Sequence, residues 1–108
     1  MHRAASEDVD AICDLLRRAR PAEPIPDRDA IARLVDNGWL LLLEASNAEL
    51  LGAVHVRLER GVGHVSLLTI EPDHRTEELA VRLLGVASAL CDAFGCTPHE
   101  ELGDIVAA

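Results

Sequence analysis

Aromatic residues are nearly missing from this 108-residue chain: Trp39 and Phe94 are the only two, and there is no tyrosine. That removes tyrosine as a catalytic acid, and it removes the stacked-ring platforms on which single-stranded nucleic acids bind. Lysine is absent as well. All ten basic residues are arginine, set against 19 acids, for a formal net charge of −9. Such a chain repels phosphodiester backbones and anionic bilayers, so no nucleic-acid or membrane partner is expected. The longest strongly apolar run, Trp39–Leu43, is far short of a membrane span. Met1–Asp8 turns acidic without an apolar stretch, so no signal peptide is expected. The three cysteines, Cys13, Cys91 and Cys96, include no Cys-x-x-Cys pair. They read as free, buried, small apolar residues in a reduced, cytoplasmic setting. The five histidines have no i, i+4 pairing, which gives no metal-site signal.

What is present is enough for one domain spanning residues 1–108. Apolar residues make up 49% of the chain, and a domain of this size buries roughly 65% of its unfolded surface. Ser6, followed by Glu7 and Asp8, reads as a helix start, and Val9, Ile12, Leu15, Leu16 and Ala19 recur at helical spacing. The spacing predicts a helix over 7–19. Three prolines in Pro21–Pro26 make a loop. Asp27 caps a shorter helix with Ile31, Leu34 and Val35 on its apolar side, and Asn37-Gly38 stops it.

Trp39–Ala45 is predicted as a strand buried on both faces, and Ser46–Glu49 as a turn. Leu50–Glu59 alternates, with Val54, Val56 and Leu58 on one side and His55, Arg57 and Glu59 on the other. Gly61-Val62-Gly63 is predicted as a hairpin loop leading into a return strand, His64–Ile70. If Glu59 faces His64, then His55, Arg57, Glu59, His64 and Ser66 share one polar face. Thr76 can cap a long helix with an apolar stripe of Leu79, Leu83, Val86, Leu90 and Phe94, ended by Gly95. The tail His99–Val106 is predicted as weakly helical. With a short first strand at 2–4, the order indicates an α+β fold of mixed α/β layers, its antiparallel central strands flanked by helices.

The run Leu68-Thr69-Ile70-Glu71-Pro72-Asp73-His74-Arg75, at a strand end before a long helix with paired leucines (Leu83, Leu84), resembles the GNAT acyltransferase superfamily. The opening Arg3-Ala4-Ala5-Ser6-Glu7-Asp8, two helices, and a hairpin carrying Leu51-Gly52-Ala53 match the family's element order. The resemblance covers residues 2 to about 96. It implies N-acetyltransfer from acetyl-CoA to an amine. It also implies that the strand backbone at Leu68 and Ile70 meets the pantetheine arm and thioester. Arg75, Thr76 and Ala80 fall on the family's pyrophosphate loop, where free N–H groups at a helix N-terminus favour an anion.

The sequence departs from the pattern in three places. Glu78 stands where the loop has its central glycine, and Glu77 and Glu78 put two carboxylates where a pyrophosphate would lie. Only 97–108 follow the long helix, so the fold lacks much of the family's C-terminal half, and the last central strand becomes an open edge. We expect a homodimer in which a partner subunit covers that edge. The family's usual tyrosine acid has no counterpart. A base to deprotonate the amine is expected, if anywhere, on the polar hairpin face, which otherwise reads as a solvated or interface-facing stripe. His64 is the first candidate, as the side chain type that titrates near neutrality, with Glu59 or His55 next. Two functions stay open: an N-acetyltransferase acting on a small amine or cationic acceptor, and a non-catalytic dimeric binding module.

Overall fold

A computed structural model describes residues 2–19, 27–45, 49–72 and 77–100. The predicted proline loop and most of the turn at 46–49 lie outside these residues. The described elements are β1 (His2–Arg3), α1 (Val9–Ala19), α2 (Arg28–Asp36), β2 (Trp39–Glu44), β3 (Leu50–Glu59), β4 (Val62–Ile70), α3 (Glu77–Ala93) and β5 (Thr97–Glu100). They form an α+β arrangement with a five-stranded mixed sheet in the order β1-β2-β3-β4-β5. The first four strands are antiparallel, and β5 runs parallel to β4. A parallel neighbour needs a crossover, which α3 supplies.

The sheet separates two cores. On one side α1 and α2 bury Ile12, Leu15, Leu16, Ile31 and Val35 against Leu40, Leu42, Ala53 and Leu67. On the other, Leu83, Ala87 and Cys91 of α3 pack on Leu41, Leu43, Val54, Val56, Val65, Leu68 and Ile70. β2 serves both, because successive residues point to opposite faces. This explains its unbroken run of four leucines, Leu40–Leu43, each at most 7% exposed. Each fully buried leucine contributes about 1.5–3 kcal/mol of transfer free energy.

Several expectations need correcting. The first helical segment opens with a 3₁₀ turn at Ser6–Asp8, and Ser6 is not its cap. The Asp8 carboxylate instead accepts a hydrogen bond from the Ala5 N–H at 2.8 Å. Asp27 does cap α2, its carboxylate accepting from Ala30 N–H at 2.8 Å. The β3–β4 hairpin turns on two residues, Arg60 and Gly61, with φ of 51° and 79°. Both angles positive define the turn whose twist suits a two-residue hairpin. The register therefore pairs Glu59 with Val62 and Arg57 with His64, so Glu59 does not face His64.

The stripe of α3 is also displaced. Leu83, Ala87 and Cys91 are its buried residues, whereas Val86 and Phe94 are 37% and 56% exposed. Small residues win this face because the sheet comes close: an added Cβ at Gly63 would sit 2.2 Å from Cys91 Sγ. Gly95, at φ 69°, ends the helix as predicted, with Cys96 N–H donating to the Cys91 carbonyl. Thr97–Glu100 is a strand, not the start of a helical tail. The rest of that tail, like the Thr76 cap, lies outside the described residues.

Candidate functional site

The distinctive backbone lies along β4. Ala53 pairs with Thr69 and His55 with Ser66, so two steps on β3 oppose three on β4. The extra residue makes a β-bulge, and Leu67 has a φ of 54°, in the left-handed region. Side-chain alternation is reset there. Val65 and Leu68 lie in the α3-side core, whereas Leu67 turns to the α1 side. A positive φ on a leucine is uncommon and strained, and such strain collects at functional sites. The Thr69 hydroxyl donates to the Leu67 carbonyl at 3.3 Å, buttressing the bulge.

β5 pairs with β4 from Val62↔Thr97 to Val65↔Glu100. It thus covers the first part of the edge expected to be open. Beyond Val65, among the described residues, no strand pairs with the outer edge of Ser66–Ile70. A fork results, with the bulge beside the point where the described pairing stops. Glu71 N–H still donates to the Leu51 carbonyl at 2.8 Å. The Glu71 side chain is buried, with Arg18 Nε 3.9 Å from one carboxylate oxygen. On the α1 side a shallow groove is lined by Ala11, Asp14, Arg18, Glu49 and Leu50.

The expected cofactor residues distribute as follows. Leu68 and Ile70 are each 2% exposed, with side chains in the α3-side core, so only their backbone is available to a ligand. Ala80 is half-buried against the same core. Arg75 and Thr76 lie outside the described residues. Glu77 and Glu78 are exposed in the first turn of α3, as the sequence places them.

The polar face forms without the Glu59–His64 pairing. Cross-strand partners share a face, so His55, Arg57, Glu59, His64 and Ser66 do lie together. Their environments differ. His55 is 4% exposed and its Nε2 is 3.1 Å from the Leu34 carbonyl, which makes that nitrogen the donor and ties the ring to α2. Glu59 forms an ion pair with Arg57. His64 is half-buried, and its ring centroid lies 6.3 Å from that of His99. His99 is the residue the sequence reading missed, since only the β5 pairing brings it here. Burial pushes the Cys13 and Cys91 thiols up, which holds them neutral and unsuited to act as nucleophiles. Among the described residues, no group of three or more His, Cys, Asp or Glu side chains is placed to hold a metal ion. None of the helices described is long and apolar enough to cross a membrane.

No protein-family model and no curated protein matches this sequence. Solved structures match its fold. The N-acetylglutamate synthase of Neisseria gonorrhoeae, solved with coenzyme A and N-acetyl-glutamate, superposes with a TM-score of 0.76 at 18% identity, over 92% of this chain and 24% of that one. A GNAT-family acetyltransferase of Streptococcus pneumoniae gives 0.69 at 17% identity, over 87% of this chain and 67% of that one. An aminoglycoside acetyltransferase from an uncultured soil metagenomic sample, in complex with sisomicin, gives 0.70 at 16%, over 93% and 74%. The chain thus spans about a quarter of the synthase. At these identities the likeness establishes the fold, which is that of the GNAT acetyltransferases.

Proposed function

We propose that this domain is an N-acetyltransferase that moves an acetyl group from acetyl-CoA to an amine. The observation that carries the reading is the Leu67 bulge at the β4–β5 fork. It stands on a strand edge that no described strand covers, whose N–H and C=O groups suit the amides of a pantetheine arm. Donors fixed in advance near a reacting carbonyl stabilise the negative charge that develops on it. Acetyl-CoA would supply the activated acyl group, with the backbone of Leu68 and Ile70 along its arm and Arg75, Thr76 and Ala80 around its phosphates. The fit is good at the fork and poorer at the helix end, where Glu77 and Glu78 oppose a polyanion.

His64 is our candidate for the base that takes the ammonium proton. Its ring is half-buried on the α1 side of the sheet, within the stretch of β4 paired with both β3 and β5 and three residues before the bulge at Leu67. Glu59 is the weaker candidate, because Arg57 already holds its carboxylate. The formal net charge of −9 favours a cationic acceptor by long-range steering, while Arg18 offsets the acids Asp14 and Glu49 that line the α1-side groove with it. The free thiols suit a cytoplasmic setting.

Calorimetric titration with acetyl-CoA tests the reading. Saturable binding supports it, and neither heat nor a thermal shift at millimolar ligand refutes it. Glu78→Gly should tighten binding, and unchanged affinity would refute the charge argument at the helix end. The alternative, a non-catalytic dimeric module, is favoured by Glu78 and the missing tyrosine. In that reading a second copy, rather than a pantetheine arm, would take the outer edge of Ser66–Ile70. Light scattering that finds only an 11.7 kDa species across micromolar concentrations would reject the homodimer.

A further inference from the structure

The parallel pairing of β5 with β4 sets two imidazoles side by side that lie 35 positions apart in the sequence. His64 and His99 are direct partners in the register, on strands about 4.8 Å apart, so both side chains project from one face. Their ring centroids are 6.3 Å apart and their planes meet at 81°. His64 is half-buried and His99 exposed, so one ring is held and the other is free to adjust. Among the described residues, Arg57 stands opposite His64 on β3 and is ion-paired with Glu59. The Arg57 charge is thus compensated and does not by itself oppose a cation here.

We propose that His64 and His99 form a two-imidazole site for a divalent transition-metal ion of the nickel, copper or zinc class. Neutral imidazole is the ligand these ions share. With metal–nitrogen bonds of about 2.0–2.1 Å, two rings on one ion stand roughly 4.5–6.4 Å apart between centres, depending on the angle at the ion. The observed 6.3 Å stands at the wide end of that range, so the exposed His99 ring would swing toward His64 for both nitrogens to meet one ion at a narrower angle. Water completes the coordination. With two protein ligands rather than four, the ion exchanges readily and is not a permanent structural metal. It would clamp the four-residue strand β5 to β4 beside the fork, since whatever binds only the folded pairing stabilises it.

The test uses the full chain without an affinity tag and Ni²⁺ as the probe, an ion that does not oxidise the thiols. Calorimetry should find one Ni²⁺ per chain, and Ni²⁺ should raise the melting temperature. His99→Gln should weaken binding at least tenfold and remove the thermal shift. Because His99 is exposed, this variant keeps its fold, and its metal-free melting curve should match that of the native chain. His64→Gln should weaken binding equally. His2→Gln is the control, since His2 lies at the other edge of the sheet beside Asp8 and Glu44. Native affinity in His99→Gln, loss of binding only in His2→Gln, or no heat at millimolar Ni²⁺ would each overturn the proposal. The outcome is independent of acetyl-CoA binding, which is measured separately on the same variants.

Discussion

Replacing Gly63 with alanine probes how the crossover helix sits on the sheet. The new Cβ would lie 2.2 Å from Cys91 Sγ and 3.3 Å from Cys91 Cβ, against an ordinary contact of about 3.5–4.0 Å. Cys91 is fully buried, so its sulfur has no open space to swing into. Relief requires lifting α3 by roughly 1 Å or more. A gap of that size forfeits a quarter to a half of each dispersion contact along the helix, and Leu83 and Ala87 lie on the same buried face. Overpacking of this kind costs about 1–3 kcal/mol, a large share of the ~5–15 kcal/mol that holds a domain together.

With a urea slope of about 1–3 kcal/mol/M, Gly63→Ala should lower the unfolding midpoint by ~1 M. Cys91→Ala removes the clashing sulfur and leaves the 3.3 Å contact with Cβ and an ordinary 3.5 Å contact with Leu58 Cδ2. The double variant should therefore be less destabilised than the sum of the singles, by about 1–2 kcal/mol. Urea unfolding followed by far-UV circular dichroism reads all four corners of the cycle. A single variant within ~0.2 M of the native midpoint, or an additive cycle, would refute the argument.

Two further outcomes follow from local chemistry. Asp27→Ala removes the carboxylate that accepts from Ala30 N–H, and should cost about 1 kcal/mol, or ~4–8 °C in Tm for a domain near this size; an unchanged melting curve would mean that α2 does not depend on its cap. Burial raises the Cys13 and Cys91 pKa values in the folded chain. Their stabilisation is thus complete below the unfolded thiol pKa of about 8.5, and is lost as pH rises through the higher folded values. Tm should fall on the alkaline side, and fall less in Cys91→Ala; an identical alkaline decline in both proteins would assign the effect elsewhere.

The elements whose residues carry strong local patterns were legible in the sequence. Val54, Val56 and Leu58 alternate cleanly, Asp27 marks a cap, and the leucine run of β2 has the length of a doubly buried strand. What escaped depends on distant partners. Val86 and Phe94 outweigh Ala87 and Cys91 in hydrophobicity, yet the close approach at Gly63 gives the buried face to the small residues. Thr97–Glu100 contains a proline and an acid, and becomes a strand only because β4 offers it an edge. Arg60 gives no hint of a positive φ, so the turn read as one residue too long. At the site, the polar residues of β3 and β4 could be named, but their pairing followed a register fixed by that turn. The bulge has no compositional signature: Leu67 and Leu68 look alike in sequence and enter opposite cores.

That last pair has a genetic consequence. Without Leu67, the chain from Val65 through Ser66 to Leu68, Thr69 and Ile70 alternates in perfect phase, each remaining residue keeping the face it already occupies. Leu67 is thus the one residue in excess of a regular ladder, the length of a single codon. Its deletion would leave a straight ladder and a gap in the α1-side core, where Leu67 is 8% exposed. Most single-residue deletions within a strand turn it inside out. This one would separate the architecture of the domain from the irregularity on which the proposed acetyl transfer rests.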